Sequence, residues 1–223
     1  MGKTNSRPRA VKRLRVLAGP NGSGKSTIKR ELKPQWIGVF INADEIERDL
    51  KINAGRLSLR SLGITGPADE VLERIKATLS NSGLDSKLDL SSLLDGISVD
   101  DALSIWLPGP YNSYLAAALA EAVRQELLEE GQTFTFETVM SHPSKIEFMK
   151  EARDRGYRVY LYFVATDDPG INIARVRARV EQGGHPVEDT KVVERYHKSI
   201  ALMTSACEAA DRAYIYDNSG ASH

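Results

Sequence analysis

The sequence predicts an α/β fold: a three-layer arrangement around a five-stranded, mostly parallel sheet, with flanking helices and one helical insertion. Three observations predict it. Five apolar segments with strand character recur along the 223 residues, helical patterns lie between them, and a glycine-rich turn joins the first strand to the first helix. A chain of this length fits one α/β domain with an elaboration, so we expect a single domain over 1–223, with a basic arm over 1–12 and the insertion over 54–112.

The first strand runs from Leu14 to Ala18, and a helix from Ser26 to Leu32 follows it, stopped by Pro34. Further strands are read over Gly38 to Ile41, Thr133 to Phe136, Arg158 to Ala165 and Ala213 to Tyr216. Val159 to Val164 is apolar nearly throughout, as an interior strand of a parallel sheet should be. Tyr114, Leu115, Leu119, Ala122, Val123 and Leu127 form a helical stripe that ends near Gly131, and another helix starts at Pro143 and stops at Gly156.

Residues 54–112 break the rhythm. Val71, Leu72, Ile75 and Leu79 predict one short amphipathic helix, and Leu103, Trp106 and Leu107 a second, with Ser98 and Asp101 as its capping box. The segment holds five basic and eight acidic residues, a net of −3, which makes it a poor surface for phosphates. It is read either as an element that covers the acceptor side of the site or as a surface elaboration.

Composition excludes several classes. Thirty basic residues balance thirty acidic ones, so no global field points to nucleic acid as a partner. Only the arm, with Lys3, Arg7, Arg9 and Lys12, is locally basic. Cys207 is the one cysteine, which rules out an internal disulfide and a cysteine-rich zinc site. No apolar run approaches a membrane span and no signal-peptide core opens the chain, so a cytoplasmic location without membrane attachment is expected.

The sharpest motif is Gly19-Pro20-Asn21-Gly22-Ser23-Gly24-Lys25-Ser26, which matches G-x-x-x-x-G-K-[ST] at every fixed position between a strand and a helix. Its glycines let backbone N–H groups turn onto phosphate oxygens. Lys25 can reach the β- and γ-phosphates, and the Ser26 hydroxyl can take a place on Mg²⁺. This is a P-loop, and Gly19 to Thr27 are its candidate nucleotide-binding residues. The short chain disfavours motors and transporter ATPases, and it lacks the Asn-Lys-x-Asp sequence of guanine recognition. A small-molecule kinase remains.

Such an enzyme needs a group to take the acceptor's proton. Asp44, in Ile41-Asn42-Ala43-Asp44-Glu45-Ile46, follows the second strand, and Glu137 follows the third in Phe134-Thr135-Phe136-Glu137-Thr138. Carboxyl ends of parallel strands face the ligand crevice, so both acids should converge on the loop. Each taken alone also fits a helix cap or a surface acid. Arg175 and Arg179 lie four apart on one helical face, ahead of Gly183-Gly184-His185-Pro186 and Arg195. Arginines around a glycine hinge suit a lid over a triphosphate, with Arg177 a solvated residue. Asn218 lies near the adenine or closes a strand-end turn, and His185 either touches a phosphate or caps a helix.

Together these pieces resemble the zeta-toxin family of P-loop kinases. The resemblance rests on GPNGSGKST, INADEI, FTFETVMS, the RV-x-x-RV-x-x-GGH-x-V run into ERYHKS, and a terminal YDNS. It covers about residues 12–50 and 113–219. It implies ATP and Mg²⁺ as cofactors and Asp44 as general base on an acceptor hydroxyl. It also implies Glu137 and Thr138 at acceptor and metal, and Arg179 and Arg195 on the triphosphate. Well-known members phosphorylate UDP-N-acetylglucosamine and are held by an antitoxin protein; a relative phosphorylates NAD. Here Glu137 is followed directly by Thr138, whereas the toxins that act on cell-wall precursors carry an E-G-T spacing. The rival readings are an NAD or nucleoside kinase, a non-catalytic ATP-gated protein-binding module, and, on the arm alone, a polynucleotide kinase.

Overall fold

The computed structural model describes residues 11–83, 89–184 and 186–220, so the first ten residues of the basic arm and His185 lie outside it. The chain opens with β1 (Arg13–Ala18), α1 (Lys25–Glu31), the single turn α2 (Pro34–Ile37), β2 (Val39–Ile41) and α3 (Ala43–Ile52). The insertion supplies β3 (Arg56–Ser58), α4 (Ala68–Ser80), α5 (Leu90–Gly96), β4 (Ser98–Val99) and β5 (Ser104–Trp106). There follow α6 (Ser113–Glu129), β6 (Phe134–Thr138), α7 (Ser144–Asp154), β7 (Arg158–Ala165), α8 (Pro169–Glu181), α9 (Asp189–Glu208) and β8 (Arg212–Asp217).

All five expected strands form one sheet, in the order β2-β6-β1-β7-β8, and all four pairings are parallel. Every carboxyl end therefore opens on the same edge. β1 lies in the middle, and its connection to α1 leaves from between β6 and β7, the switch point at which open parallel sheets bind ligands. Alternation along the strands sorts the side chains by face. Leu14, Val16, Phe134, Phe136, Val159, Leu161 and Phe163 join the large core beneath α6, α7 and α9. On the other face Leu17, Tyr162 and Val164 meet Ile28 of α1 and Leu32, just past its end.

The second predicted helix of the insertion does not form. Ser98–Val99 and Ser104–Trp106 are strands instead, and with Arg56–Ser58 they make a small antiparallel sheet ordered β3-β5-β4. Leu103, Ile105 and Leu107 are the buried apolar side chains, which is a period of two and not of three to four. Ser98 and Asp101 form no capping box. Asp100 closes the turn: its carboxylate accepts from the Ser104 N–H at 2.8 Å and its carbonyl from the Leu103 N–H at 2.9 Å. The polar stretch after α4 also holds a short helix, α5, capped by the Asp89 carboxylate on the Ser92 N–H.

The insertion contributes to the same contiguous core as β1 and β6, through Leu57, Leu59, Ile64, Val71, Ile75, Leu79 and Ile105. It docks on α6, which explains why that helix is buried over far more than its predicted stripe, Ala116, Ala118, Ala120 and Leu128 included. Tyr114 is the exception, at 42% exposure. Two polar clamps fix the contact. The Glu130 carboxylate accepts from the Thr65 and Gly66 N–H groups at 2.9 and 2.7 Å. Arg74 on α4 grips the buried Glu126 carboxylate through Nε and Nη2 at 2.9 and 2.8 Å. Arg74→Ala leaves that carboxylate without its half-exposed cation, and chemical denaturation should show a loss of about 1–3 kcal/mol.

Candidate active site

The loop from Gly19 to Gly24 wraps around the Lys25 ammonium. Lys25 Nζ donates to the Gly19 and Pro20 carbonyls at 2.8 and 2.9 Å and stands 3.8 Å from Glu137 Oε1. Burial pushes its pKa down, Glu137 and Asp44 push it back up, and Arg179 again lowers it. The ordering matters because a desolvated cation gains most from an arriving anion. It also places Asp44, Glu137 and Arg179 within electrostatic reach of Lys25, bringing together four residues from four separate parts of the sequence.

Glu137 is not a stray surface acid. Its Oε2 accepts from Asn42 Nδ2 at 3.2 Å, while the Asn42 side-chain oxygen accepts from the Asp44 and Glu45 N–H groups at 2.7 and 3.3 Å. Asn42 is thus the cap of α3 and the link between the two acids. Its signal was present in the sequence, as an Asn followed by two acids at the start of a helix. Asp44 caps nothing and its side chain is exposed. The Thr138 hydroxyl accepts from the Met140 N–H at 3.0 Å and so shapes the turn after β6, where Met140 has φ 56°.

Ser26 opens onto a crevice of about 460 Å³, bordered by Lys29, Arg30, Asn42, Glu45 and Glu137. Lys29 pairs with Glu45 at 3.2 Å and stacks on the Phe40 ring. None of the residues that line this crevice comes from the insertion. Thr27 is exposed on the first turn of α1.

The arginines divide. Arg179 lies within electrostatic reach of Lys25, whose pKa it lowers. Arg175, on the same helical face by spacing, instead donates to the Asn218 and Gly220 carbonyls at 2.9 and 3.0 Å. Arg177 pairs with Asp189 at the start of α9. Arg195 lies half-buried on α9, and among the described residues no hydrogen bond or ion pair ties it to the loop. The Asn218 side chain donates to the Ser23 carbonyl at 2.7 Å. Sequence reading missed Asn172, whose Nδ2 donates to the Asn21 carbonyl at 2.6 Å; a single Asn inside a helix carries no local signal. Among the described residues no group of three His, Cys, Asp or Glu side chains has metal-ligand geometry.

Comparison with known proteins bears on the family and the fold. An uncharacterized protein of Haemophilus influenzae is 38% identical over 63 residues, which are 28% of this chain and 45% of that one, so the match spans less than half of that relative. Among solved structures, one from the characterisation of the PezAT chromosomal toxin-antitoxin system of Streptococcus pneumoniae aligns with a TM-score of 0.51 at 14% identity, covering 96% of this chain and 71% of that one. A protein of Chloroflexus aurantiacus described as a candidate kinase aligns at 0.50 with 11% identity, covering 94% and 89%. At such identities the likeness is one of fold. The zeta toxin family model matches residues 111–222, half of the sequence, and the chain belongs to the zeta toxin family, with the five-stranded α/β architecture of P-loop kinases.

Proposed function

We propose that this chain is an ATP- and Mg²⁺-dependent kinase. It transfers the γ-phosphoryl group to a hydroxyl of a small nucleotide-containing metabolite such as UDP-N-acetylglucosamine, with an antitoxin protein as its regulatory partner. The observation that carries the reading is the Lys25 ammonium, buried in a glycine loop and 3.8 Å from a strand-end carboxylate. The toxin-antitoxin context of the S. pneumoniae structure supports the partner.

The residues fit Mg–ATP. Bound there, it would supply an electrophilic phosphorus and a cation that neutralises the phosphates. Lys25 exchanges its two loop carbonyls for phosphate oxygens. The Ser26 hydroxyl and Glu137 are the oxygen donors for the metal, and Asn42 holds Glu137 in orientation. Asp44 takes the acceptor's proton, Thr138 borders the acceptor, and Arg179 and Arg195 neutralise charge that develops on the transferred group.

The arginine roles are testable. Arg179→Lys and Arg195→Lys keep the charge but lose the planar fork of donors, so turnover should fall about tenfold or more and ATP affinity much less. Arg177→Lys should be close to neutral, because its exposed pair with Asp189 is worth about 0–1 kcal/mol. The reading as a whole is tested by incubating the protein with ATP, Mg²⁺ and a metabolite extract and finding which mass gains one phosphate. A protein that binds ATP and phosphorylates nothing would be a nucleotide-gated binding module.

A further inference from the structure

Four carbonyls of the phosphate loop are turned to side-chain partners that hold them, and two of the partners come from outside the motif. Those of Gly19 and Pro20 take the Lys25 ammonium; that of Asn21 takes Asn172 Nδ2, and that of Ser23 takes Asn218 Nδ2. Asn172 is fully buried on α8. Its side-chain oxygen is engaged by the Thr166 hydroxyl, and the Thr166 carbonyl accepts from Tyr196 Oη at 2.7 Å. Asn218, past β8, is fixed in turn by Arg175 on its carbonyl and by its own N–H on the Ala165 carbonyl, each at 2.9 Å. Both chains of contacts therefore end on α8 or α9, the helices that carry Arg179 and Arg195.

Two glycines of the motif record how closely these asparagines approach. A Cβ on Gly22, at φ +75°, would stand 2.5 Å from the Asn172 carbonyl oxygen. A Cβ on Gly24, at φ +101°, would stand 2.2 Å from Asn218 Nδ2. Glycine is needed there for the outer wall of the loop as well as for any ligand inside it.

We propose that Asn172 and Asn218 are positioning residues that set the phosphate loop from behind. By holding the Asn21 and Ser23 carbonyls outward they leave the Gly22 and Gly24 N–H groups facing in, and they join the loop mechanically to α8 and α9. A peptide unit has its carbonyl and N–H on opposite sides, so fixing one direction fixes the other. The proposal rests on the loop binding a triphosphate, and it differs from an adenine-contacting role for Asn218, which would act on the base and not on the phosphates.

The test uses the full chain and two probes, ATP and inorganic tripolyphosphate, with affinities measured by calorimetry well below the melting temperature of each variant. Asn172→Ala and Asn218→Ala should each weaken both probes by about tenfold, the equivalent of one net buried hydrogen bond. Adenosine binding, where detectable, should not change. Unaltered tripolyphosphate affinity in both variants would overturn the proposal, since a merely structural role lowers the melting temperature and leaves that affinity intact. Loss confined to ATP in Asn218→Ala would make Asn218 a base contact and overturn its half. If Asn172→Ala does not fold, Thr166→Val removes the hydroxyl that orients Asn172 and should produce a smaller loss of the same kind; no loss would count against the proposal. A wild-type protein that binds neither probe would instead defeat the kinase reading.

Discussion

Lys25→Ala should lower phosphoryl transfer by about 10³-fold or more, the scale at which a preorganised charge acts on a transferring group. The substitution also removes the donor held by the Gly19 and Pro20 carbonyls and the cation 3.8 Å from Glu137. Both hydrogen bonds are buried, but the desolvation that pushes the Lys25 pKa down is relieved with the ammonium and offsets their loss. The melting temperature should therefore move by only a few degrees. Turnover and melting measured on one preparation check both halves, and wild-type turnover by a folded Lys25→Ala variant would refute the assignment of the loop.

Asp44→Asn should lower turnover by about 10²- to 10⁴-fold, the usual worth of a positioned base, while ATP affinity stays close to that of the wild type. The structure sharpens this test. A capping role for Asp44 would have predicted a loss of stability, but the cap of α3 is the Asn42 side chain. Asp44 contributes only its backbone N–H to that cap, and asparagine retains it. An Asp44→Asn variant that melts early and keeps its specific activity would show that the base lies elsewhere. Asn42→Ala is the informative partner, because it loosens Glu137 and frees the start of α3 together.

The five sheet strands were legible because each is a short apolar run bounded by turn residues, and parallel strands buried on both faces leave that mark locally. The glycine loop was legible for a similar reason: its chemistry demands fixed residue types at set spacing within eight consecutive positions. The small sheet of the insertion was not. In a stretch as short as Leu103 to Leu107, one set of apolar residues satisfies both a period of two and a spacing of three to four. What decides between them is pairing with Arg56–Ser58, more than forty residues away.

The sequence by itself determined the α/β class, the position of the phosphate loop, and the choice of Asp44, Glu137 and Arg179 as candidates. Only the tertiary structure decided which of these meet, because proximity depends on strand order: Asn42 reaches Glu137 because β2 pairs with β6 and the carboxyl ends of both open on one edge. It also separated Arg175 from Arg179, which share a helical face by spacing: Arg175 holds the chain after β8, and Arg179 lies within electrostatic reach of Lys25. Asn172 belongs wholly to the tertiary level. An amide that caps nothing and lies 151 positions from its partner acquires a role only when the sheet brings α8 against the loop.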